Sequence, residues 1–324
     1  MRGGRLAVAV GCATLLLAAT GAAEPTLWQR ARSPNAALEA RLLTALERML
    51  DAREQAGPDD EMAQRFARAA LAMVDLARPG VPADPRLACA IATALIGADV
   101  GRAAEAEALL ESAVQRLPPG ELLAHAWHEL GIARSLRGDH AGSRDADSHV
   151  LELAWDPGLR ATSFYNRAEA EMRLGDLGRA ARDYQQGADS AGDPAIQVLS
   201  RFGLGVALER QGDLPAAFAA FDQGLKTRLP LSRYSSDDPL DLPGVFFVPP
   251  YERSYLSALI AMAVARHGED KDTTRAAYEQ AIRKWDAYLL AAAPSEPWLA
   301  NARRHRERCA AELRKLPPRH RHAG

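Results

Sequence analysis

The dipeptide Gly-Asp occurs at Gly138-Asp139, Gly175-Asp176 and Gly212-Asp213, 37 residues apart each time (175 − 138 and 212 − 175). One more step back (138 − 37) falls on Gly101. A fixed period of this length constrains the chain more than any other feature. It specifies a row of similar supersecondary units, each leaving an apolar face that only its neighbour can bury. The dipeptide also has a local meaning. Glycine takes the left-handed conformation that stops a helix. The aspartate after it accepts from the first N–H groups of the next helix and favours that helix's positive end. Each Gly-Asp therefore reads as the tight turn of a helical hairpin.

Composition agrees with an all-α chain. Alanine and leucine dominate, aromatics are 6% of the 324 residues, and the Val/Ile runs that build strands are nearly absent. A net charge of −2 implies no general attraction to nucleic acid. There is no Gly-rich phosphate loop, no H-E-x-x-H, no G-x-S-x-G and no C-x-x-C. The reading is therefore a protein that is not an enzyme and carries no cofactor or metal. Of the 3 cysteines, Cys12 lies in the leader, and Cys89 and Cys309 sit at opposite ends of the array, where no bridge is expected.

Within the period, Trp127-x-x-Leu130-Gly131 resembles the tetratricopeptide repeat (TPR) signature W-x2-L-G. With the turn glycine at position 15, units begin at Leu87, Ala124, Ala161 and Val198. The small residue at position 8 recurs as Gly131, Ala168 and Gly205, and that at position 20 as Ala180 and Ala217. The aromatic at position 24 recurs as Tyr184 and Phe221, with Leu110 in the first unit. The second unit departs from the pattern: Ser143 and Asp147 stand where alanine and an aromatic are usual, which predicts looser packing there. The resemblance implies a right-handed TPR-like superhelix of antiparallel helix pairs, an α-α solenoid.

The chain then divides as follows. Residues 1–23 carry two arginines, an apolar run from Leu6 and small residues at Ala22-Ala23, the features of an export signal. The expectation is an exported, periplasmic or secreted protein. Two alternatives stay open: residues 6–23 retained as a membrane anchor, and lipidation at Cys12. Residues 24–80 read as an N-terminal capping hairpin, and 85–226 as four units. Residues 227–250 form an insert whose five prolines forbid a helix and which carries Tyr234, Phe246 and Phe247. A degenerate fifth unit and a capping helix fill 251–316, and 317–324 is a polar tail.

In TPR arrays the first helix of each pair, helix A, lines an inner groove, and the resemblance places ligand-facing side chains at positions 2, 5, 6, 9, 12 and 13. Here these are His125, His128 and Glu129 in the second unit, with Ser135. The third unit contributes Thr162, Tyr165, Asn166, Glu169 and Arg173. The fourth contributes Phe202, Glu209 and Arg210. The implied partner is a protein or peptide, with Phe246, Phe247 and Tyr251 as further loop contacts. Of the carboxylate clamp used by chaperone-binding TPRs, only Asn166 fits. The expected function is an exported scaffold or adaptor. The alternative is a structural component of an envelope assembly held through the 227–250 insert. His305, His320 and His322 lack the spacing of a metal site.

Overall fold

The computed structural model describes residues 84–98, 100–229, 249–268 and 270–317, with isolated positions 72, 238, 240 and 247. The leader, the N-terminal hairpin to residue 80 apart from position 72, Tyr234 and Phe246 lie outside the described residues. Eleven α-helices are present among the described residues, and no strand. They are α1 Pro85–Ala98, α2 Ala103–Val114, α3 Glu121–Leu136, α4 His140–Leu153, α5 Pro157–Leu174 and α6 Leu177–Ser190. Then follow α7 Pro194–Arg210, α8 Leu214–Lys226, α9 Glu252–Arg266, α10 Lys271–Ala291 and α11 Leu299–Lys315. Consecutive helices pack on one another, so each pair lies against the next, except at the junction of α8 and α9.

The hairpin turns have the geometry that the Gly-Asp pairs require. Gly138, Gly175 and Gly212 have φ of 83°, 82° and 91°. Asp139 accepts from the Gly142 N–H at 2.9 Å, Asp176 from Arg179 at 3.0 Å and Asp213 from Ala216 at 3.1 Å, always three residues on. The entry to the next pair is also capped: Asp156 accepts from Leu159 N–H, and Asp193 from Ala195 N–H, both at 2.7 Å. Pro157 and Pro194 follow these caps, where the missing N–H costs nothing. The first pair lacks a Gly-Asp turn and passes through a 3-10 turn, Val100–Arg102.

The small residues set how closely the pairs approach. A Cβ on Gly203 would stand 2.3 Å from the Tyr184 ring, and one on Gly205 2.7 Å from Phe221. The position-24 aromatics lie directly on the helix that carries the small residue. The second pair has Asp147 at that place, and it is fully buried with Ser143 beside it in the interior. The expected loosening is therefore not what happens. The unit packs, and a cluster of polar side chains takes the space of the aromatic.

The apolar core follows this division. One cluster gathers Leu95, Leu110 and Leu130. A second gathers Tyr184, Phe202, Phe221, Tyr255, Trp285 and Tyr288. Cys89 and Cys309 are unpaired buried thiols, one in each cluster. Between α8 and α9 the regular packing is interrupted, and few contacts join those two helices. Leu240 of the insert is 4% exposed within the second cluster, and Phe247 packs against the same cluster. The described part of the insert therefore turns inward at the break.

The open surroundings of Gly175 isolate its backbone role, because nothing lies within 4 Å of a Cβ there. Gly175→Val is expected to destabilise the chain by at least ~1 kcal/mol through left-handed strain alone. Gly175→Asn should cost clearly less, since asparagine tolerates that conformation. Equal thermal midpoints for both variants and the parent chain would refute this account of the turn.

Candidate functional site

The groove residues expected from the repeat pattern divide into three groups. The first, His125, His128 and Glu129 of α3, is buried. His128 Nδ1 lies 3.3 Å from Ser163 Oγ of α5 and 3.7 Å from Asp147 Oδ1 of α4. Serine, histidine and aspartate meet here, but one ring nitrogen faces both partners and all three side chains are enclosed. That is a structural knot between two units, without the separate nitrogens that a nucleophilic relay needs. Burial pushes the Asp147 carboxyl up, against the pull of His128 and Ser163. Burial, then the neighbouring His128, pushes His125 down to about 4, so the ring is neutral at pH 7. Glu129 lies beside Cys89, whose thiol is pushed up to about 12 by burial and by that carboxylate.

The second group, Phe202, Glu209 and Arg210 of α7, is buried; Phe202 packs on Phe221 of α8, and Glu209 and Arg210 are covered by the chain's own C-terminal helices. Glu209 accepts from Tyr255 Oη of α9 at 2.6 Å and from Asn301 Nδ2 of α11 at 2.9 Å. His305 Nε2, also on α11, lies 2.7 Å from the same carboxylate. Burial works to raise the Glu209 carboxyl, yet the bonds from His305, Tyr255 and Asn301 together hold it below its ordinary value. The Arg210 guanidinium lies 4.8 Å from the ring centres of both Tyr255 and Trp298 and donates to Glu252 Oε2 at 2.7 Å. Stacked and paired in this way, it is a tie between α7, α9 and α11. His305 is thus engaged with Glu209, and His320 and His322 lie outside the described residues.

The third group, on α5, reaches solvent. Thr162, Tyr165 and Asn166 are half-buried, and Glu169 is exposed. Glu169 accepts from Tyr184 Oη at 2.5 Å, and the Tyr165 ring lies 5.8 Å from the Tyr184 ring. The Glu169 carboxyl is raised, first by lost solvation and then by Glu252, against the Tyr184 hydrogen bond. Arg173, one turn further, donates to Glu252 Oε1 at 3.2 Å. Glu252 therefore clamps Arg173 and Arg210 at once and forms the C-terminal end of the patch. Tyr251 beside it donates to Glu296 at 2.8 Å, and Phe247 packs on the core.

Sequence reasoning missed Glu252, Tyr255, Asn301 and Trp298, which close the inner face of α7. Their only sequence signal was the density of aromatic and polar residues after the insert. It also missed a cluster of arginines contributed by α4, α5 and α6, described below.

Helix hairpins of 37-residue period, turned by left-handed glycines and stacked through small residues, define an all-α TPR-like fold. The chain matches no family model and no curated protein. It is similar to several solved structures. MamA AMB-1 is 13% identical, with a TM-score of 0.43, over 58% of this chain and 92% of MamA. A chain of the APC/C hetero-tetramer Cut9-Hcn1 is 15% identical, with a TM-score of 0.46, over 92% of this chain and 58% of the other. The TPR domain of P58(IPK) is 15% identical, with a TM-score of 0.33, over 95% and 77%. At these scores the class rests on the chain's own helices and turns.

The Glu209 network makes a directional prediction. Glu209→Ala leaves His305, Tyr255 and Asn301 without their shared acceptor and should cost about 3 kcal/mol. Hydrogen exchange should show α11 losing protection while α3 and α4 keep theirs; uniform loss would refute the local tie. His125 makes a second. Its folded pKa of about 4 lies below the 6.5 of the free side chain, so its neutral form is favoured in the fold. The His125 contribution is complete above pH 6.5 and is lost as pH falls from there toward 4. The thermal midpoint of His125→Phe should therefore fall less than that of the parent chain over this window.

Proposed function

We propose that this chain is a scaffold that holds a protein or peptide partner on its inner face, at the patch of Thr162, Tyr165, Asn166 and Glu169 on α5. The observation that carries the reading is the contrast among the inner-face positions. In the units on either side these residues are buried, while on α5 Thr162, Tyr165 and Asn166 are half-buried and Glu169, although it accepts from Tyr184, is exposed. An aromatic ring flanked by hydrogen-bonding groups is a typical anchor for an extended segment or a helix. The insert, whose Leu240 and Phe247 pack inward, serves the junction between units, which favours the inner face over the insert as the contact surface.

We also infer that the protein is exported. The leader, with its two arginines and apolar run ending at Ala22-Ala23, supports export, and none of the described helices is long and apolar enough to cross a membrane. Sequencing the N-terminus of the chain from an envelope or periplasmic fraction distinguishes a cleaved leader from an anchored or lipidated one.

The partner site is tested by crosslinking in cells that express the natural chain or the double variant Tyr165→Ala/Asn166→Ala. The expected result is a crosslinked partner that disappears in the variant while the helical circular dichroism is unchanged. A partner set that survives the double variant but is lost when residues 230–246 are replaced by a short glycine-serine linker would overturn the inner-face reading in favour of attachment through the insert.

A further inference from the structure

On the side of the stack formed by the second helices of the units, α4, α5 and α6 enclose an open cleft of about 490 Å3. That lies within the roughly 300–1,000 Å3 of ligand sites. Four arginines line it: Arg144 of α4, Arg167 of α5, and Arg179 and Arg182 of α6. They are not equivalent. Arg167 is committed, with Nε and Nη2 donating to Asp183 at 2.5 and 3.0 Å and Nη1 to Ser148 Oγ at 3.3 Å. Among the described residues Arg144 pairs only with the adjacent Asp145, and Arg179 only with Asp176 at the turn; both carboxylates are exposed. Such pairs are weak in water and exchange readily. Arg182 is exposed and makes no ion pair among the described residues.

The lining of the cleft also includes Glu171, which is 4% exposed. Its Oε2 is enclosed without a hydrogen-bond partner among the described residues. Burial, then Asp183, pushes this carboxyl up to about 7; Asp176 adds to the rise, and Arg167 and Arg179 oppose it. Near neutral pH it therefore exists in part as the acid, which is a hydrogen-bond donor. Three loosely held guanidinium groups above a carboxylic acid make the donor set that an oxyanion needs, and arginine forks match such oxygens well. Asp183 does not compete for the ligand, because Arg167 already occupies both of its oxygens.

We propose that the α4–α5–α6 cleft binds a tetrahedral oxyanion, free phosphate or the phosphoryl group of a peptide, through Arg144, Arg179 and Arg182, with Glu171 donating from the interior side. The bound anion displaces Asp145 and Asp176 from their arginines and keeps Glu171 protonated, so binding takes up a proton. Phosphate itself titrates near neutrality, whereas sulfate does not and so isolates the contribution of Glu171. This site faces away from the α5 patch and stands or falls independently of it.

The test is calorimetric titration of the full chain with four probes: sulfate, inorganic phosphate, a short phosphoserine peptide and its unphosphorylated form. The phosphopeptide and the free anions are expected to bind, and the unphosphorylated peptide is not. Arg144→Gln and Arg182→Gln should each weaken binding about tenfold. Arg182 is exposed, and half-buried Arg144 pairs with the exposed Asp145, so folding is not at stake and circular dichroism should be unchanged. Sulfate should bind several-fold tighter at pH 6 than at pH 8, and Glu171→Gln should abolish that difference. Phosphate that competes at the affinity of the phosphopeptide identifies the free anion as the ligand, and a tighter phosphopeptide identifies a peptide. The absence of saturable binding by sulfate and the phosphopeptide, or binding unaffected in the double arginine variant, overturns the proposal.

Discussion

The stack depends on one recurring backbone event, the reversal at Gly138, Gly175 and Gly212. A left-handed residue ends one helix, and the aspartate beside it opens the next with a side-chain cap three residues on. Because the turn is short, the two helices of a pair emerge in nearly fixed relation. Their approach is then limited only by what lies between them, and small residues let the position-24 rings lie flat against helix A. Neither helix of a pair could hold its shape alone in water at these lengths, since most helical stability in proteins comes from packing. The turn therefore does more than connect: it sets the geometry in which packing becomes possible.

The same regularity explains where the chain departs from an apolar core. At the second pair, Asp147 stands where the third and fourth carry Tyr184 and Phe221. A buried carboxyl is costly unless it is bonded or neutralised. The chain meets this with His128 and Ser163 from the flanking first helices and with a carboxyl raised toward its neutral form. The fourth and fifth pairs use a charged version of the same device. Glu209 and Glu252 each gather donors from two or more helices and hold α9 and α11 onto α7, where the insert has broken the ordinary packing. Buried ion pairs add little net stability over apolar packing, but an unsatisfied member is very costly, so such networks tolerate few alternative arrangements. Here they set the position of a C-terminal cap that the repeat pattern no longer specifies.

This is also why the fold was legible in the sequence and the site was only partly so. The Gly-Asp period and the small residues at positions 8 and 20 are local signals, and they carried the helix pairs and their turns. The accessibility of an inner-face side chain is not local. His128 and Tyr165 occupy the same position in successive units, yet one is enclosed by α4 and α5 and the other reaches solvent. Glu209 looked like a groove residue because its unit places it inward. It is covered by residues 46 to 96 positions away, across an insert whose path no periodicity describes. The arginine cleft escaped notice for a related reason. Arg144, Arg167 and Arg182 belong to three helices, and only stacking brings them to one place.

The two candidate surfaces share α5 as their common wall. Tyr165, Asn166 and Glu169 leave it on the inner side, while Arg167 and Glu171 leave it toward the cleft. Opposite sides of the same turns thus serve opposite faces, and α5 is held at both ends, by the Asp156 cap and by the Gly175 turn. A partner that orders α5 from the inner side would act on a helix whose other side carries a carboxyl raised to about 7 and an arginine fixed to Asp183. Coupling between the faces requires α5 to have two arrangements that each ligand favours differently. A helix capped at both ends and packed on both sides has little freedom to supply them. The geometry therefore favours two independent contacts on one rigid support, the arrangement expected of a scaffold whose units hold partners in fixed relation.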